Sequence, residues 1–202
     1  MGVQGVSKSR PLALLNPRKR RGSRNDVAAR SWYEKGIAAD PGFPHVYQLS
    51  ADLYFERGEF AEALTYYRKT VEALPTHFEA WIQAGNCAGL LGDAQGALSY
   101  YDHAAELRPD SWIPSYNSAG IRAATDEPEQ AMTLLNHAVE LGFQQPQRLE
   151  QNPDLVSLHD RPDFQALLAT LRTNAGPPPG ASGAPGRPRR RRTQSNQAMP
   201  DR

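Results

Sequence analysis

The sequence has a single cysteine, Cys87, among its 202 residues. One thiol cannot close a disulfide within the chain or assemble a thiolate metal cluster, a usage that suits a reducing compartment. Long apolar runs are missing too. The longest near the start is "PLALL" at 11–15, far short of a signal-peptide core or a membrane span. N-terminal myristoylation requires Ser or Thr at position 6, and that residue is Val6, with the nearest hydroxyl on Ser7. The chain is therefore expected to be soluble and cytoplasmic, with no stable membrane anchor.

Catalytic signatures are equally scarce. The sequence contains no Gly-rich phosphate loop, no G-x-S-x-G, no H-E-x-x-H and no paired Cys or His ligand set. No cofactor or metal is implied, and the chain is not expected to be an enzyme. Asp52 and Glu56 stand four apart on one helical stretch and could form a carboxylate pair, but no substrate is implied for them, so they read as a solvated face. Cys87 lies between Asn86 and Ala88 and reads as a small packed residue rather than a nucleophile.

What the sequence does have is charge of opposite sign in different places. Residues 1–30 carry a formal charge of +7 and residues 173–202 carry +5, whereas 31–172 carry −11. An acidic body thus stands between two basic arms. The arms include "NPRKRRGSR" (16–24) and "RPRRRR" (187–192). Such tracts attract nucleic-acid phosphates without sequence preference, or fold against an acidic body, or keep a chain soluble. An anionic membrane surface would also attract them, but no acyl or amphipathic anchor accompanies them.

It also has a repeat. "EALTYYRKTVEALP" (62–75) returns 34 residues later as "GALSYYDHAAELRP" (96–109), and "AARSWYEKGIAADP" (28–41) and "QAMTLLNHAVELGF" (130–143) stand in the same register. Ala29, Ala63, Ala97 and Ala131 align, as do Tyr33, Tyr67, Tyr101 and Leu135. Pro41, Pro75 and Pro109 also align, and Phe143 breaks that series. A small residue, an aromatic four later and an apolar residue another four later share one helical face, and proline then stops the helix. In each aromatic doublet, Trp32-Tyr33, Tyr66-Tyr67 and Tyr100-Tyr101, this register sends the second ring to the core and leaves the first half exposed. His103 and His137 occupy equivalent positions, filled in the other copies by Lys35 and Lys69. A position that accepts lysine reads as solvated rather than metal-binding. Between the copies, 45–60, 80–94 and 115–128 read as first helices of pairs. Gly58 and Gly92 are placed to end two of them in the left-handed conformation, and Asp126 is expected to cap the helix that begins near Pro128.

A 34-residue helix pair with Trp81, Gly85, Gly92, Ala97, Tyr101, Ala104 and Pro109 at these offsets resembles the tetratricopeptide repeat. Tyr47, Tyr54, Gly58, Phe60, Ala63, Tyr67 and Pro75 carry the likeness through 44–75, and a weaker copy follows at 112–143. The resemblance implies an all-α helix-turn-helix solenoid of about three and a half repeats over 26–172, closed by a capping helix at about 150–172. Disordered tails at 1–25 and 173–202 flank it. In "NPDLVSLHDRPDFQALLATL" (152–171), which resembles the segment closing many bacterial arrays of this type, Phe164, Leu167, Leu168 and Leu171 form the covering stripe. No first helix precedes 28–41, where two prolines and a basic cluster stand instead.

The resemblance further implies a non-enzymatic adaptor that holds a partner's peptide or helix in a concave groove. By repeat register the groove residues are His45, Gln48, Asp52, Phe55, Glu56, Glu79, Ile82, Asn86, Leu90, Ile113, Tyr116 and Asn117. Asn86 and Asn117 match positions with which some family members grip a terminal carboxylate. The matching lysines are absent, Ile82 standing where the first belongs, so a carboxylate clamp is not expected. The alternative reading is a nucleic-acid-associated protein acting through its arms.

Overall fold

The structure is a computed structural model that describes residues 44–174 and, before them, residues 31, 35 and 36, which are helical. The arms, and the Trp32-Tyr33 doublet, lie outside the described residues. Between Pro44 and Asn174 the regular elements are all helical: α1 (Pro44–Glu56), α2 (Phe60–Ala73), α3 (Phe78–Leu90), α4 (Ala94–Leu107), α5 (Trp112–Ala124), α6 (Pro128–Glu140), α7 (Pro146–Glu150), a 3-10 turn η1 (Pro153–Leu158) and α8 (Pro162–Asn174). The pairs α1–α2, α3–α4 and α5–α6 each pack closely, and each pair packs on the next through α2–α3 and α4–α5. This is an all-α helical-repeat solenoid.

The alignment of small and aromatic residues is what makes the pairs fit. Ala63, Ala97, Ala131, Ala104 and Ala138 are fully buried, and Tyr67, Tyr101 and Leu135 are almost so. Each large side chain so buried stabilises the fold by about 1.5–3 kcal/mol. Small residues permit the approach: a Cβ on Gly85 would stand 2.4 Å from Cε1 of Tyr101. The first rings of the doublets, Tyr66 and Tyr100, stay half buried. Tyr66 stacks on Tyr54 at 5.3 Å, and Tyr100 lies 6.0 Å from Trp81.

Turns follow from local chemistry. Gly58, Gly92 and Gly142 have φ of 76°, 84° and 97°, and after the second of them Asp93 N–H donates back to the Ala88 carbonyl at 2.9 Å. Asp93 then caps α4 by accepting from Gly96 N–H at 2.9 Å. The expectation for Asp126 is corrected here. Asp126 itself takes the left-handed conformation, φ 64°, doing in the third pair what glycine does in the others. Glu127 occupies the N-cap of α6 and makes no side-chain cap bond; its carboxylate instead meets Arg122 at 2.7 Å.

The departure at Phe143 also has a physical reason. Gly142 ends α6, and Phe143 turns inward to 1% exposure, stacking on Tyr116 at 5.1 Å and meeting Trp112 edge-on at 5.0 Å. The chain then turns back across α5 as α7 and η1 rather than continuing the repeat. Leu149, Leu155 and Leu158 are fully buried under it. Phe164, Leu167, Leu168 and Leu171 of α8 are buried in the same cluster, with Met132, Leu135 and Ala138 of α6.

Candidate functional site, a groove between α3, α5 and the closing segment

The first helices of the second and third pairs, α3 and α5, lie side by side, and the returning stretch 145–154 forms a wall beside α5. Between them opens a groove of about 900 Å³. Glu79, Ile82, Gln83, Asn86 and Leu90 of α3 line one side, and Ile113, Tyr116, Asn117 and Gly120 of α5 line the floor. Arg148, Asn152 and Asp154 stand on the wall.

A polar ladder runs across the floor. Tyr101 Oη donates to Asn86 Oδ1 at 2.8 Å, and Asn117 Nδ2 donates to the same oxygen at 3.2 Å. Asn86 Nδ2 donates in turn to Gln83 Oε1 at 2.7 Å. Toward the wall, Asn152 Nδ2 donates to Tyr116 Oη at 2.9 Å, and Tyr116 Oη donates to the Arg148 carbonyl at 3.2 Å. These bonds fix the amides before any ligand arrives, which lowers the ordering cost of binding. Burial pushes the Tyr101 phenol far above the usual tyrosine range, with the Asp154 charge adding to it. Tyr116 is raised by burial as well, so both rings act as neutral hydroxyl donors.

Four charged side chains line the groove. Glu79 and Arg108 pair at 2.9 Å, and Arg108 also lies over the Phe78 ring at 4.4 Å. Arg148 sits over Trp112 and Tyr116, 5.3 and 5.0 Å from their centroids. Asp154 is half buried beside α5, its carboxyl raised by loss of solvent.

Of the residues expected by register, Glu79, Ile82, Asn86, Leu90, Ile113, Tyr116 and Asn117 line this groove. His45, Gln48, Asp52, Phe55 and Glu56 lie on α1, outside it. Asp52 has an internal task, accepting from Tyr67 Oη at 2.5 Å, and Phe55 meets Phe60 edge-on at 5.5 Å. The wall residues Arg148, Asn152 and Asp154 were not among the expected set. Register alone counts positions along repeats, and this wall begins where the repeat stops.

The other polar residues singled out lie elsewhere. His103 is exposed and lies tilted against Trp81, ring centroids 4.6 Å apart, and His137 Nδ1 is 3.0 Å from Ser115 Oγ. Among the described residues no group of three potential metal ligands occurs. Cys87 is fully buried, and burial pushes its thiol up to about 12, which leaves no thiolate for chemistry near neutral pH. Among the described residues no helix is long and apolar enough to cross a membrane.

Comparison with known proteins agrees with the architecture. Two models described as tetratricopeptide repeat match residues 44–87 and 78–111. No curated protein matches the chain. Among solved structures, a crystal structure of MamA superposes with a TM-score of 0.60 at 17% identity, covering 75% of this chain and 91% of that one. A second MamA crystal structure gives 0.61 at 16%, covering 75% and 81%. A third, of MamA from MSR-1, gives 0.54 at 22%, covering 58% and 68%. At these identities the likeness is one of fold.

Proposed function

Residues 44–111 belong to the tetratricopeptide-repeat family, and from that premise we propose that the chain is a non-enzymatic adaptor. It holds an extended or helical segment of a partner protein in the groove between α3, α5 and residues 145–154. Repeats of this family build protein-interaction scaffolds, which is the general class; the groove and its peptide are our reading.

The observation that carries it is the preorganised floor. Tyr101, Asn86, Asn117 and Gln83 are bonded to one another across three helices of two successive repeats, α3, α4 and α5. Ile82, Leu90 and Ile113 supply apolar surface beside them. Fixed amides next to apolar pockets suit a peptide, whose main chain needs hydrogen bonds and whose side chains need burial. The groove carries as many acids as bases, which does not favour a phosphate-rich ligand there.

The test is affinity capture from a lysate with the full chain, at low and high salt and after nuclease treatment. The parent is compared with a groove variant carrying Ile113→Glu and Asn117→Lys. Both changed side chains are only half buried, so the variant is expected to melt as the parent does, checked by circular dichroism. Proteins retained at high salt by the parent and lost from the variant support the reading. Proteins retained equally by both remove the groove from the function, and capture that vanishes with salt or nuclease assigns it to the basic arms instead.

A further inference from the structure

The four charges of the groove are not equally satisfied. Glu79 and Arg108 neutralise each other. Arg148 is exposed and lies against two aromatic faces, where a cation is well placed even without an acid. Asp154 has no such relief. Its backbone N–H is taken by Asn152 Oδ1 at 3.0 Å, but among the described residues its carboxylate takes part in no hydrogen bond or ion pair. The hydroxyls close enough for their titration to feel its charge, those of Tyr101 and Tyr116, donate to Asn86 and to the Arg148 carbonyl instead.

The position of this carboxylate is set by the fold. The first turn of η1 holds its backbone, and its side chain lies along α5 at Gly120, whose Cβ, if present, would stand 3.5 Å from Asp154 Cβ and 3.7 Å from Oδ2. It therefore faces the groove from a half-buried site. A carboxylate partly withdrawn from water without a partner is costly, and burial raises its carboxyl accordingly. A cation brought by a ligand would remove that cost.

We infer that Asp154 is a cation subsite of the groove, receiving the guanidinium or ammonium of one basic side chain on the bound partner segment. The inference rests on the peptide-groove reading above. Residues 44–174 carry eight Lys/Arg against eighteen Asp/Glu, a field that draws a basic segment toward this surface. The occupant is a mixed segment rather than a polybasic tract. Several adjacent cations would meet Arg148 and Arg108, which line the same groove, whereas one basic residue at Asp154 among apolar or acidic neighbours avoids them.

Random dodecapeptides displayed on phage, selected on the immobilised full chain, supply the probe. Selection is run on the parent, on Asp154→Asn and on the Ile113→Glu, Asn117→Lys variant. Peptides that bind the parent but not the groove variant are expected to share Lys or Arg at one fixed position, and Asp154→Asn to release that position. For one such peptide, Asp154→Asn should weaken binding about tenfold, replacing the peptide's basic residue by glutamine should do the same, and the two changes together should cost no more than either. Asp154→Glu, which keeps the charge, should retain the preference, separating loss of charge from loss of fold. Groove-dependent peptides without a basic position, or with unchanged affinity for Asp154→Asn, overturn the subsite alone. Polybasic peptides, including one matching 187–192, overturn the single-residue form. Absence of any groove-dependent peptide overturns the peptide groove and the subsite together.

Discussion

Tyr101 shows how one side chain serves both core and site. Its ring fills the space left by Gly85, where a Cβ would stand 2.4 Å away, and its hydroxyl ends in the groove on Asn86 at 2.8 Å. Burial forbids ionisation and the hydroxyl still finds a partner, which is what a buried tyrosine requires. Asp154 is the opposite case. Burial raises its carboxyl, so the folded chain holds that proton more tightly than the unfolded one. The associated stability is full below the unfolded value and is lost as pH rises through the raised one. At neutral pH the ionised group therefore costs stability. Asp154→Asn is expected to melt above the parent at pH 7, with the gap closing below about pH 4, as followed by thermal denaturation across pH. Arg161 works in the other direction, holding Asp163 and Glu129 below the usual carboxylate range. That contribution is lost as pH falls through their lowered values; it is the same in both proteins and cancels. A lower melting point for Asp154→Asn at pH 7 would mean that the carboxylate is stabilising where it stands.

Among the elements, the turns after first helices are where local sequence and conformation can be compared directly. Gly58 and Gly92 adopt positive φ with no side chain to hinder them, and Asp126 adopts φ 64° at the corresponding turn of the third pair. A left-handed conformation costs an L-residue with a Cβ about 1 kcal/mol or more, and Asp less than most. Asp126→Gly is expected to stabilise the chain by about 0.5–1 kcal/mol, measured by urea denaturation. A loss of stability would show that the Asp126 side chain contributes more than its strain. The sequence pointed to Asp126 as a helix start because Asp before Pro128 is a common cap signal. It missed the competing demand at the same place, the need to end α5. The helices themselves were legible, because small and aromatic residues four apart, followed by Gly or Pro, declare a buried face and its limits within a few residues.

At the scale of the whole molecule, the buried residues divide into two clusters that share α5. One joins α1 to α4 and takes Ile121 from α5; the other joins α5 to α8 and takes Tyr116, Ala119 and Ala123. In a stacked array each unit is stabilised by its neighbours only, so damage should stay local. Leu158→Ala, at a fully buried position of the closing segment, is expected to cost about 2–5 kcal/mol. Hydrogen exchange should show amides of α5 to α8 losing protection well before those of α1 to α3. Equal loss along the chain would mean that the array unfolds as one cooperative unit.

The sequence by itself determined the helices, their pairing and the residues that let them approach. The information is short-range: a face repeats every four residues, a pair every 34, and each unit needs only its neighbour to bury that face. Seven of the expected groove residues follow from the same counting. Only the tertiary structure decided where the groove closes and which charge in it is left without a partner. Asn152 reaches Tyr116, and Asp154 lies alongside Gly120, from more than thirty residues away. Counting repeats does not predict those contacts, because the helix-pair pattern stops at Phe143 and the segment that follows packs differently. They meet because Phe143 leaves the repeat to bury its ring on Tyr116 and Trp112 and so turns the chain back across α5.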